Sequence, residues 1–109
     1  MKNLLDETIA VLEKNGKTIS DIVAIQGNDF AISINNFIEI ASCTNYDSGY
    51  GSQEIACDLK IIGNNWWLER REYDGAEWWE FCQFPSLKID IKEIHTLSGD
   101  GWSSLERMQ

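Results

Sequence analysis

The run WWLERREYDGAEWWEF, residues 66–81, constrains the fold of this chain more than any other segment. Asp-Gly is a pair suited to a two-residue type I′ loop, because both central positions need positive φ. A two-residue loop at Asp74-Gly75 fixes every cross-strand pair by counting outward. Tyr73 then faces Ala76, Glu72 faces Glu77, Arg71 faces Trp78 and Arg70 faces Trp79. Further out, Glu69 faces Glu80, Leu68 faces Phe81 and Trp67 faces Cys82. Successive strand residues point to opposite sides, so each face of this ribbon carries tryptophan, with an arginine opposite an indole. Four of the chain's five tryptophans lie in the hairpin, and both of its faces need cover. Either helices cover one face and a partner the other, or the chain self-associates.

Elsewhere the pattern predicts an amphipathic helix over 3–14, with Leu5, Ile9 and Leu12 on one face, flanked by Leu4, Thr8 and Val11. Gly16 supplies its C-terminal stop. Residues 21–26 and 30–34 read as strands around Gly27-Asn28-Asp29, and Asn35 or Asn36 caps a short helix through Phe37, Ile38 and Ile40. A Gly-, Ser- and Asn-rich loop runs from Ser42 to Ser52. EIACDLKII alternates apolar Ile55, Cys57, Leu59 and Ile61 with polar residues and reads as a strand. Pro85 ends the second hairpin strand, KIDIKEI is a further alternating run, and a terminal helix runs from Trp102 to Met108. The expected fold is α+β. An N-terminal helix and a short helix pack on a roughly five-stranded antiparallel sheet, a meander with its hairpin at Asp74-Gly75, in one domain spanning 1–109.

Charge narrows the function classes. Nine Lys and Arg stand against eighteen Asp and Glu, a formal charge of −9 among 109 residues. That disfavours a basic nucleic-acid-binding face and an anionic membrane surface. Asp6, Glu7 and Glu13 interrupt any secretory h-region in the first fifteen residues. Cys43, Cys57 and Cys82 are odd in number and widely spaced, which fits a reduced, cytoplasmic protein with thiols packed as small hydrophobes. With the lone His95 they show no zinc-ligand spacing, so neither metal nor other cofactor is expected.

Catalytic patterns are equally weak. Asp47-Ser48-Gly49-Tyr50-Gly51 followed by Glu54 misses the calcium-loop spacing and the dinucleotide fingerprint. His95 has no Ser or Cys motif beside it, and none of the many carboxylate pairs stands out, so the expectation is a non-enzyme. Clustered carboxylates have another use: they can occupy an Arg/Lys-lined groove built for phosphates. Glu69, Glu72, Asp74, Glu77 and Glu80 would stand in for phosphates, with Tyr73, Trp78 and Trp79 as aromatic anchors. The partner would be the basic surface of a nucleic-acid-handling protein, not a nucleic acid or a membrane. Two rivals are a small-molecule or cation-binding module lined by Asp47, Tyr50, Glu54 and the hairpin tryptophans, and a homodimeric structural protein that buries the aromatic face against a second copy.

The segments YDSGYGSQEIACDLKIIG, WWLER and EYDGAEWWEF, together about a third of the chain, resemble small acidic proteins of Firmicutes phages and prophages. That resemblance carries no catalytic residues. It implies the context of a phage-encoded accessory protein in a host bacterial cytoplasm, of the anti-defence kind to which anti-CRISPR proteins belong. The function expected from it is binding and inhibition of a host defence enzyme by nucleic-acid mimicry.

Overall fold

The computed structural model describes residues 1–47, 49 and 51–109. It is α+β, with strands β1 (Lys2–Asn3), β2 (Ala24–Gln26), β3 (Ala31–Ile32), β4 (Asn45–Tyr46), β5 (Lys60–Ile62), β6 (Trp66–Tyr73) and β7 (Ala76–Gln83). Its helices are α1 (Leu4–Lys14), α2 (Ile34–Ser42) and α3 (Leu105–Met108). Five strands form one antiparallel sheet in the order β3-β2-β5-β6-β7, and β1 pairs with β4 in a separate two-stranded sheet. No helix among the described residues is long and apolar enough to cross a membrane.

The hairpin register is the one counted from Asp74-Gly75, from Tyr73↔Ala76 out to Trp67↔Cys82. Asp74 and Gly75 sit at φ 51° and 88°, the left-handed pair that a type I′ loop needs. The same counting carries through the sheet. Ile25, Ile61, Leu68 and Phe81 form one row on its inner face, and Gln26, Lys60, Glu69 and Glu80 form one on its outer face.

Helices α1 and α2 cover the inner face. Asn3 caps α1 by accepting from the Asp6 amide, and α1 buries Leu4, Glu7, Thr8 and Leu12. The buried stripe is thus centred on Leu4, Thr8 and Leu12, a rotation away from the expected Leu5–Ile9–Leu12 line, because Glu7 and Thr8 have polar partners inside. Helix α2 is capped by Ser33, whose hydroxyl accepts from Asn36 N, not by Asn35 or Asn36. It buries Phe37 and Ala41. Leu4, Leu12, Ile25, Phe37, Tyr46, Ile61, Trp66, Leu68 and Trp79 belong to one continuous core.

Four expectations fail locally. Residues 54–58 make no strand, because the Glu54 and Ile55 amides bond to the Glu77 carboxylate in place of a ladder (2.6 and 3.3 Å). KIDIKEI pairs with no strand among the described residues, and only Leu105–Met108 of the terminal helix forms. Cys43 and Cys57 are exposed rather than packed; all three cysteines are free thiols. The unpaired tail stretches the molecule: the radius of gyration is 18.0 Å, where a compact chain of this length would have about 13 Å.

Candidate functional site

The hairpin divides the expected cluster between two environments, since neighbours on a strand face opposite ways. Glu77 and Trp79 share the inner face with Leu68 and Phe81. They are 2% and 3% exposed, so neither belongs to a docking surface.

Instead they build a buried charge cluster around Arg70. Arg70 Nη2 donates to Glu77 Oε1 (2.9 Å) and to the Tyr46 hydroxyl (3.1 Å), and Nη1 lies 3.5 Å from Glu7 Oε1. The Tyr46 hydroxyl in turn donates to Glu7. The guanidinium sits between two rings, 4.7 Å from the Trp79 centroid and 5.6 Å from that of Tyr46. Trp79 is fixed from both ends, its indole donating to Thr8 Oγ1 (2.9 Å) and its amide to Glu7 Oε2 (3.3 Å). Burial, followed by the bond to Glu7, pushes the Tyr46 hydroxyl up to about 12. Although burial opposes the charge on Arg70, the bonds to Tyr46 and Glu77 outweigh it and raise its pKa further. With this arrangement the cluster holds α1, β4 and the hairpin together. Arg70 Nε has no hydrogen-bond partner among the described residues.

No helix among the described residues covers the outer face. Trp67, Glu69, Trp78 and Cys82 are half-buried among their neighbours, while Arg71, Tyr73 and Glu80 are exposed. Glu72 and Asp74 stand exposed at the hairpin tip. The carboxylates here are oriented by the indoles: Trp67 donates to Glu69 (2.9 Å) and Trp78 to Glu80 (3.0 Å). Trp67, then the Cys82 thiol at 3.2 Å, hold the Glu69 carboxyl below its ordinary range. Burial and the same carboxylate push the Cys82 thiol up. The nearby cations are Arg71, 3.5 Å from Glu69, and Lys60, opposite Glu69 in the sheet.

The surface that forms is therefore Glu69 and Glu80 beside Trp67, Trp78 and Tyr73, with Asp74 at the tip; Glu72, opposite Glu77 in the register, falls on the other face and does not join it. Trp67 was missed as a site residue, although its parity with Glu69 on β6 marks it as a neighbour. Phe84 was missed too; its ring lies against Trp67 with centroids 5.2 Å apart.

The second candidate cluster does not converge. Asp47 Oδ1 accepts from Gly49 N (3.0 Å) and Glu54 Oε2 accepts from Asp47 N (3.1 Å), so both carboxylates fold the loop back on itself. Tyr50 lies outside the described residues. No three His, Cys, Asp or Glu side chains among the described residues are placed to hold a metal ion. Comparison with protein-family models, with curated proteins and with solved structures finds no match to this chain.

Proposed function

We propose that the chain is a non-catalytic binding module whose open sheet face docks on a basic surface of a nucleic-acid-handling enzyme. Inhibition of a host defence enzyme, in the manner of anti-CRISPR proteins, is the activity this reading assigns. The observation that carries it is the outer face of β6 and β7. Two tryptophans and a tyrosine stand there beside carboxylates that their own indoles hold in place. Aromatic side chains supply contact area at hot spots with little loss of rotamer freedom. Oriented carboxylates accept bidentate bonds from arginine, and a formal charge of −9 steers a cationic partner.

Pull-down from bacterial lysate with wild type and with Trp78→Ala plus Glu80→Lys tests this proposal. Wild type should retain a basic nucleic-acid-binding enzyme at low salt, release it at high salt and inhibit its cleavage activity. The double variant, folded, should retain none. Retention indifferent to salt, or unchanged in the variant, would overturn the reading.

A further inference from the structure

The arm that follows β7 pairs with no strand among the described residues. Leu87, Ile89 and Ile91 are 90%, 95% and 93% exposed, and among the described residues no backbone group of 85–94 bonds to another backbone group. Beyond it the chain is closed on itself. Gln109 accepts from His95 N and Thr96 N and donates to Thr96 O. Residues 85–94 are thus an alternating segment without a ladder, its 88–94 part lining a cavity of about 710 Å³ with Leu105, Glu106 and Gln109.

β7 is the edge of the sheet. Its Trp79 amide points away from β6, because it donates to Glu7. By alternation the amides and carbonyls of Phe81 and Gln83 point the same way, and they have no hydrogen-bond partner among the described residues. Beside this open edge runs a groove of about 420 Å³ between α1 and β7, lined by Val11, Lys14, Asn15 and Phe81 among others.

We propose that the arm of a second copy adds to this edge antiparallel to β7, with Leu87 opposite Phe81, in a reciprocal strand exchange. It bonds to Phe81 and to the Trp79 carbonyl, since Pro85 has no N–H for Gln83 and the Trp79 amide stays with Glu7. In that register Leu87 and Ile89 enter the groove against Phe81 and Val11, and Lys88 stands opposite Glu80. Asp90, already paired with Lys92 at 3.7 Å, faces Trp78. Charge and Pro85 together select this register, because the two-residue shift that sets Lys88 opposite Trp78 also sets Pro85, which has no N–H, opposite Phe81. A shift of two residues the other way sets Asp90 opposite Glu80. A shift of four brings Glu93 to Trp79, where Glu7 already sits.

The chosen register also selects the second copy over the chain's own arm. Pairing Gln83 with Pro85 leaves Phe84 alone to turn the chain, fewer residues than the two a hairpin needs. Phe84 is moreover tied down, its amide donating to Asn65 O (3.1 Å) and its ring against Trp67. A short, rigid hinge of this kind favours exchange between copies over folding back.

Sedimentation of the purified full chain tests the exchange independently of any host partner. Wild type should be a dimer at micromolar concentration. Leu87→Asp should weaken it by about 100-fold or more, since each dimer loses the same apolar burial twice, and should leave the circular dichroism of the folded body unchanged. Lys88→Glu should weaken the dimer, and Lys88→Glu combined with Glu80→Lys should restore it. A monomeric wild type overturns the proposal, whether the arm is free or folded back. So does a dimer that Leu87→Asp leaves intact.

Discussion

Removing the Glu77 carboxylate tests the physics of the interior most directly. In Glu77→Ala, Arg70 keeps the Tyr46 hydroxyl and a 3.5 Å approach to Glu7, but loses its 2.9 Å bond. Two amides, Glu54 N and Ile55 N, lose their acceptor as well. Breaking a buried pair from one side costs about 3–5 kcal/mol. The Ile55 amide, which is buried, adds about 1 kcal/mol, while Glu54 is exposed enough for water to replace its bond. The total, about 4–6 kcal/mol, consumes much of the ~5–15 kcal/mol that stabilises a domain of this size. Urea denaturation followed by tryptophan fluorescence reads the loss, since Trp79 lies on the guanidinium. Glu77→Gln keeps one acceptor and should fall between the alanine variant and wild type. Exposed Glu80→Ala should stay within about 0.5 kcal/mol of wild type. Glu77→Ala within about 1 kcal/mol of wild type would refute the assignment of Glu77 to a buried, obligatory role.

Other consequences are more local. A Cβ at Gly63 would lie 2.0 Å from the Trp66 indole, so Gly63→Ala should lower the thermal midpoint sharply or prevent soluble expression. Thr8→Val strands the buried Trp79 indole N–H and should cost about 1–3 kcal/mol in the same urea assay. Since the folded Tyr46 hydroxyl titrates at about 12 against 10.0 ordinarily, the unfolded chain gives up this proton first. The stability Tyr46 contributes below pH 10 should therefore fall as pH rises toward 12, and Tyr46→Phe should lack that component of the alkaline transition. Thiol alkylation should label exposed Cys43 and Cys57 quickly. Cys82, half-buried with its thiol pushed up, should react slowly in the folded chain and quickly in urea.

Local signals in the sequence carried the hairpin completely: Asp74-Gly75 permits one register, and the structure has it. Helix α1 and the helices-on-sheet layering were legible from periodicity. What the sequence could not show is how Glu77 is used. Its partners are Arg70 across the hairpin and, through that guanidinium, Glu7 at the other end of the chain, so nothing nearby distinguishes it from the solvated Glu80. Parity was the available clue, because Glu77 falls in line with Trp79 and Phe81, and the acids of one hairpin cannot all share a face. The segment around Ile55 alternates like a strand, but its amides answer to a carboxylate instead of a neighbouring backbone. In the arm, alternation is present and a neighbour is not.

The Arg70 cluster also bears on how the chain acquires its structure. Glu7 leaves the ribosome early and Arg70 and Glu77 late, so the acid on α1 has no counter-ion until the hairpin has emerged and closed. Contacts of such wide sequence separation form slowly, after the intervening loop entropy has been overcome. The N-terminal half should therefore show little persistent order during synthesis, and the domain should acquire its structure in one cooperative step once the hairpin docks.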